Sequence, residues 1–198
     1  MVNKILALFL IIIFLPIFLL ITLIILLFSV WPVFFIQERV GLNEKKFKMY
    51  KFRTMIKNAD KLQSVYKNEN EVDGPAFKIW NDPRFTKIGK FLSHTGLDEL
   101  PQLINILKGD MNFIGPRPLP IYEYNKIDLK YKKRSLVKPG ILSPWVINGY
   151  HKNTFSDWMN SDLSYVKEKS WSYDFKILQK GICLIFILFI KEIKNIKH

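Results

Sequence analysis

Two adjacent carboxylates, Asp98 and Glu99, sit in the stretch Thr95-Gly-Leu-Asp-Glu-Leu-Pro-Gln-Leu103. Neighbours at a helix start point about 100° apart. One could attack an electrophile while the other holds Mg²⁺ or handles a proton. A helix N-terminus beside them favours a phosphate substrate. The same residues also have a structural use. Thr95 followed three positions later by Asp98 is a capping pattern, and acids in a first turn complement the helix dipole. Residue types and spacing leave capping and catalysis both open.

Cations that could serve such a pair are few. Arg117 lies between two prolines in Gly115-Pro-Arg-Pro118, a stiff loop from which a guanidinium could clamp phosphate in bidentate fashion, or simply be solvated. Lys51 and Arg53 in Tyr50-Lys-Phe-Arg-Thr-Met55 could do the same, or snorkel at a membrane surface. His94, His151 and His198 show no metal-ligand spacing. The single cysteine, Cys183, lies in an apolar helical segment and reads as packing or lipid contact. There is no phosphate-cradling glycine loop and no serine nucleophile elbow.

The elements that must carry these residues are unevenly charged. The 198 residues include 30 Lys+Arg and 17 Asp+Glu, a formal net charge of +13, yet Lys4 is the one charged side chain before Glu38. One cysteine excludes a disulfide-stapled domain. A 49% hydrophobic and 15% aromatic composition argues against a disordered polyelectrolyte. Ile5–Phe28 is apolar except for Pro16 and Thr22, and as a straight helix it would be roughly 36 Å long, enough to cross a bilayer core. No small-residue cleavage site follows it, so it reads as a retained anchor. It could span once, or break at Pro16 and return to the side it came from. Arg39, Lys45, Lys46, Lys48, Lys51 and Arg53 follow closely, which places the body in the cytoplasm under either path.

The chain thus divides into an anchor, residues 1–31, and a body, residues 32–198. The expected fold is mixed α/β and predominantly helical, with a short β-hairpin and amphipathic surface helices. The hairpin strands are Val33–Gln37 and Phe47–Lys51, around Gly41-Leu42-Asn43. Helices are expected over Phe85–Ser93, Leu97–Lys108, Leu119–Arg134, Thr154–Glu168 and Tyr173–Ile196. A short strand pair is expected between the turns at Lys138-Pro-Gly140 and Asn148-Gly149. Ala59–Asn70 is a polar helix or loop. In the last helix, Ile182–Ile190 is an unbroken apolar run, too short to span, between Lys176 and Lys180 on one side and Lys191, Lys194 and Lys197 on the other. Such a segment either lies on an anionic membrane surface or is a core helix.

The ordered set of segments resembles the bacterial sugar transferases, the small monotopic phosphoglycosyl transferases. The matching pieces are Pro32-Val-Phe-Phe-Ile-Gln-Glu-Arg-Val-Gly41, Tyr50-Lys-Phe-Arg-Thr-Met55, Asp82-Pro-Arg-Phe-Thr-Lys-Ile-Gly-Lys-Phe-Leu92 and Leu97-Asp-Glu-Leu-Pro-Gln-Leu-Ile-Asn105. They continue through Leu107-Lys-Gly-Asp-Met111, Gly115-Pro-Arg-Pro118, Lys138-Pro-Gly-Ile141 and Asp162-Leu-Ser-Tyr-Val-Lys167.

That resemblance implies a Mg²⁺-dependent enzyme of the bacterial inner membrane, with its catalytic domain on the cytoplasmic face. It would move a phospho-sugar from a UDP-sugar to undecaprenyl phosphate, release UMP and so begin a surface glycan. Asp98 would be the nucleophile and form a covalent phosphosugar intermediate. Glu99 would assist in metal or proton handling, both carboxylates would hold Mg²⁺, and Arg117 would contact phosphate. It also implies a re-entrant anchor with the break at Pro16. Lys51 and Arg53 are further phosphate candidates. The chain departs from the family pattern at Ser93, where a basic residue is common, so that Lys90 or His94 would have to cover a phosphate contact. It also has Tyr150 where an arginine is common, and only Met1-Val-Asn-Lys4 ahead of the anchor. These departures suggest a non-catalytic or weakened member as an alternative. A membrane-tethered nucleic-acid binder would suit the charge, but no signature of one is present, so no nucleic-acid partner is expected. The donor sugar, the glycan pathway and the oligomeric state leave no mark in the sequence.

Overall fold

A computed structural model describes residues 1–29, 31–147 and 154–196. The turn expected at Asn148-Gly149, together with Tyr150, His151, Lys197 and His198, lies outside the described residues.

The body is built on a hairpin. Strand β1 (Phe34–Val40) pairs antiparallel with β2 (Lys46–Phe52), in a register that sets Phe34 opposite Phe52 and Val40 opposite Lys46. Both strands run longer than expected from sequence, because the turn is confined to residues 41–45, closed by the Gly41 N–H donating to the Lys45 carbonyl at 2.8 Å. Helix α2 (Lys87–Thr95) starts at the end of this hairpin. The Thr86 N–H donates to the Thr54 carbonyl at 3.0 Å, and the Thr86 hydroxyl caps the helix by accepting from the Gly89 N–H at 2.9 Å. A Cβ on Gly89 would lie 1.8 Å from the Thr54 oxygen, so only glycine lets α2 approach β2 this closely. Helix α3 (Gln102–Lys108) packs on β2 from the other side. The Asn105 side chain takes the place of a third strand: its Nδ2 donates to the Lys48 carbonyl at 2.7 Å and its Oδ1 accepts the Tyr50 N–H at 3.1 Å.

The remaining elements form smaller layers. Strand β3 (Asn112–Ile114) pairs in parallel with β4 (Gly140–Leu142), which is followed by the short helix α5 (Pro144–Ile147). This corrects the strand pair expected after Pro139: the partner of the second segment is distant in sequence, and local turn signals carry no trace of it. The helix expected over Leu119–Arg134 is a single turn, α4 (Ile121–Tyr124), with a separate 3-10 run over Leu129–Leu136. Helix α6 (Phe155–Glu168) begins with a reciprocal capping box between Thr154 and Asp157. It stacks Trp158 on Trp145, with ring centroids 5.3 Å apart, in a cluster with Leu119, Tyr124 and Met159.

The N-terminal helix α1 (Val2–Phe28) is long and apolar enough to cross a membrane. It is continuous, and the break expected at Pro16 does not interrupt it: Pro16 sits on the outward side, between Phe14 and Phe18, which pack against the body. Packing from neighbouring elements is what lets a helix absorb a proline without parting. One stripe, Ala7, Leu10, Phe14, Phe18, Ile21 and Ile25, faces Met49, Leu103, Ile106 and Met111 and then Val33, Phe52 and Leu92. At its start, Asn3 Nδ2 donates to Asn112 Oδ1 at 3.0 Å. Both ends of α1 therefore touch the body.

The last helix, α7 (Trp171–Ile196), buries Ile177 and Glu192 but leaves Ile182, Ile185, Phe186, Ile187 and Ile190 exposed. Of the two expectations for this segment, the core helix is not what forms: most of the apolar run points outward.

Candidate active site

The dyad lies on a turn between two helices. Helix α2 ends at Thr95, Gly96 takes φ 75°, and Leu97–Glu99 forms one 3-10 turn before Pro101 leads into α3. The single helix expected over Leu97–Lys108 is thus divided. Pro101 has no N–H to donate and its ring crowds the preceding turn, so the α-helical ladder begins only after it. The capping explanation for the acids also fails. The Thr95 hydroxyl donates back to the carbonyls of Phe91 (2.7 Å) and Leu92 (3.2 Å), not forward to the dyad.

Asp98 and Glu99 instead meet cations. Lys51 Nζ lies 2.6 Å from Glu99 Oε1 and 3.4 Å from Asp98 Oδ2, and Arg117 Nη2 donates to the same Glu99 oxygen at 2.8 Å. Lys51 is held there by β2, whose neighbouring residue Tyr50 is bonded to Asn105. Arg117 is held from two sides. Arg134 Nη2 donates to the Arg117 carbonyl at 2.6 Å, and Arg39 Nη1 donates to the Pro118 carbonyl at 3.1 Å. Arg134 in turn forms a buried pair with Asp162. The loop with two prolines is therefore a fixed arm carrying one half-exposed guanidinium.

The two carboxylates are electrostatically unlike. Burial pushes Asp98 up; Lys51 pulls against that rise, and the adjacent Glu99 charge adds to it. Burial would raise Glu99 as well, but Arg117 and Lys51 outweigh it and hold Glu99 well below the usual carboxylate range. Glu99 is thus a fixed anion shared by two cations. Asp98 is the more loosely paired member.

Two further cations bear on the dyad without having been singled out by sequence. Burial, and then the charge of Arg117, lowers Lys78 to about 6, and the charges of Glu99, Lys51 and Asp98 also act on it. Burial and Arg117 together lower Arg39 to about 10. The signal for Lys78 was a basic residue between apolar neighbours, Phe77-Lys78-Ile79; Arg39, which follows Glu38, carried no such signal. The site thus gathers the cations Lys51, Arg117 and Arg39 around two carboxylates, an excess of positive charge suited to a diphosphate, with Lys78 beside them kept largely neutral at pH 7 by its burial.

Three expected phosphate ligands are placed elsewhere. Arg53 Nε donates to the Pro32 carbonyl at 2.8 Å and ties the hairpin to the anchor junction. Lys90 is exposed on α2. His94 is buried, stacked on Trp80 at 4.2 Å between ring centroids, with Nε2 2.8 Å from the Trp80 carbonyl and Nδ1 3.2 Å from Glu192 Oε1. Both its ring nitrogens are engaged, so it does not replace the basic residue absent at Ser93. Among the described hydrogen bonds, none links Arg53, Lys90 or His94 to the dyad.

Among the described residues no group of three or more His, Cys, Asp or Glu side chains forms a metal cluster. Two adjacent carboxylates nevertheless suit Mg²⁺, which commonly takes one or two protein carboxylates and completes its shell with substrate phosphates and water.

The chain also resembles known proteins in sequence. The family model described as bacterial sugar transferase matches residues 1–187. The chain is 43% identical over 148 residues to the galactosyl transferase CpsE of Streptococcus agalactiae, covering 74% of this chain and 33% of that protein. It is 39% identical over 155 residues to the UDP-glucose:undecaprenyl-phosphate glucose-1-phosphate transferase of Escherichia coli, covering 74% of this chain and 31% of that protein. It is 33% identical over 176 residues to the exopolysaccharide production protein ExoY of Rhizobium meliloti, covering 85% of this chain and 76% of that protein. The chain therefore spans about a third of the length of the first two and three quarters of the third.

Proposed function

The chain belongs to the bacterial sugar transferase family, and from that premise we propose that it transfers a phospho-sugar from a UDP-sugar to undecaprenyl phosphate, with release of UMP. The observation that carries this reading is the pairing of Asp98 and Glu99 with Lys51 and Arg117, where helix capping would have turned both acids to backbone N–H groups.

Chemistry follows from the asymmetry of the pair. Asp98, the loosely held carboxylate, attacks the sugar-linked phosphorus. An O–P bond forms, the bridging P–O bond breaks, and its electron pair leaves with UMP. A phosphate oxygen of the lipid acceptor then attacks the same phosphorus and returns Asp98 as a carboxylate. Lys51 and Arg117 stay in place throughout, held by Glu99, and present positive charge to the non-bridging oxygens where negative charge develops. Arg39 extends that charge. Asp98 and Glu99 would hold Mg²⁺, which when bound neutralises the diphosphate.

The anchor fits a lipid acceptor. Contact of both Asn3 and Ile25 with the body supports a helix held along the body's membrane-facing side at both of its ends. The basic residues that follow α1 support the cytoplasmic side of the inner membrane. An acceptor phosphate at headgroup depth would then reach the dyad without its tail leaving the membrane.

The test is turnover by the purified full chain in lipid nanodiscs with Mg²⁺ and a panel of UDP-sugars. At least one donor is expected to give UMP continuously when undecaprenyl phosphate is present, and only one equivalent per enzyme when it is absent. No UMP from any donor would overturn the assignment.

A further inference from the structure

The side chain that failed to reach the dyad has a position of its own. His94 is in the last turn of α2, four residues before Asp98, and is 4% exposed. Three elements close on its ring. Trp80 stacks on it and Phe85 meets it edge-on, with centroids 6.1 Å apart. Glu192 reaches it from α7 and is itself 8% exposed. The same helix adds Phe189 against Phe91 of α2, again edge-on at 6.1 Å.

The hydrogen bonds fix the protons. The Trp80 carbonyl can only accept, so Nε2 of His94 carries a hydrogen. Nδ1 and Glu192 Oε1 would then both be acceptors if the ring were neutral and the carboxylate ionised. Their 3.2 Å separation is a hydrogen bond only if one more proton lies between them, on the ring or on the carboxyl. Asn195 Nδ2, 3.5 Å from the same oxygen, adds a donor to the carboxylate.

We propose that His94 and Glu192 form a proton-sharing latch that seats α7 on α2 and thereby positions the turn bearing Asp98 and Glu99. The turn gains a second hold in this way, beside the ion pairs of Lys51 and Arg117 with the dyad. It follows α2 directly through Gly96, whose open backbone puts little local restraint on the dyad. The latch also fixes the Trp80 end of the segment that carries Lys78. Glu192 touches no reacting group; it is a positioning residue. The outer face of α7 is bare apolar surface, so a helix suited to lipid is joined, through this hydrogen bond and the Phe189–Phe91 contact, to the helix that leads into the dyad turn.

The proposal rests on the transferase reading for its kinetic readout but not for its structural one. Two variants separate a latch from a mere contribution to folding. Glu192→Ala removes the bond. Glu192→Gln keeps it, because the amide can donate to Nδ1 of a neutral His94 without a shared proton. In full-length protein in nanodiscs, Glu192→Ala is expected to speed amide hydrogen exchange roughly tenfold in both 171–196 and 95–99, leaving the 34–52 hairpin unchanged. It should also lower kcat by a similar factor with the donor KM unchanged. Glu192→Gln should restore both to within about twofold. Wild-type exchange at 95–99 in Glu192→Ala overturns the proposal, as does a Glu192→Gln variant no better than Glu192→Ala. The exchange result stands whether or not UMP is released, so failure of the latch and failure of the transferase reading are told apart.

Discussion

Asp98→Asn is expected to lower UMP release by about 10⁴-fold or more while leaving the fold intact. The amide has the shape of the carboxyl but cannot form the bond to phosphorus. Loss of a nucleophile removes the covalent route itself, which is why the effect exceeds that of any supporting residue. The fold should survive because the stronger ion pair of the site, Lys51 with Glu99 at 2.6 Å, does not involve Asp98. Burial already disfavours the Asp98 carboxylate, and without it Lys51 keeps Glu99 as its partner. The checks are single-turnover UMP release and a thermal melt on the same preparation. A residual rate within tenfold of wild type would show that Asp98 is not the nucleophile.

Lys51→Met should cost about 10²–10³-fold in kcat, the range seen when one preorganised charged or hydrogen-bonding group is taken from a transition state. Lys51 bonds both carboxylates. Methionine keeps most of the stem that packs along β2 and deletes the ammonium. Glu99 retains Arg117 at 2.8 Å and so stays paired; Asp98 loses its described ion-pair partner. The variant should therefore fold, with the loss in kcat larger than any rise in donor KM. A Lys51→Met enzyme with wild-type kcat and a raised KM would make Lys51 a ground-state binding residue only.

The parts legible in the sequence were those with local causes. Alternating aromatic and β-branched residues around Gly41 marked the hairpin, Thr154 marked the start of α6, and the apolar run marked α1. The dyad was visible as residue types but not as a site, since Thr95 and Asp98 match a cap as well as a catalytic turn. The decision came from Lys51 and Arg117, which approach from 47 and 18 residues away in sequence. Long-range pairing also hid the parallel partner of β4 and the role of Asn105 as a substitute strand edge. His94 shows the reverse error. Its place beside Ser93, where the family pattern has a basic residue, suggested a phosphate ligand, whereas the acidic partner that engages it is 98 residues away on α7. Lys78 carried a signal, a basic group between Phe77 and Ile79, that singles out burial but not what the buried group faces; Arg39, next to Glu38, carried none.

The claim on which the rest depends is that Asp98 becomes covalently phosphorylated by the sugar-phosphate donor. Mass spectrometry of the full-length enzyme, incubated with Mg²⁺ and a UDP-sugar that yields UMP but with no lipid acceptor, measures this directly. One phospho-sugar per chain is expected on the tryptic peptide Phe91–Lys108, localised to Asp98, absent from Asp98→Asn and discharged by undecaprenyl phosphate. UMP release by wild-type enzyme with no adduct on that peptide, or with the adduct on another residue, would contradict it.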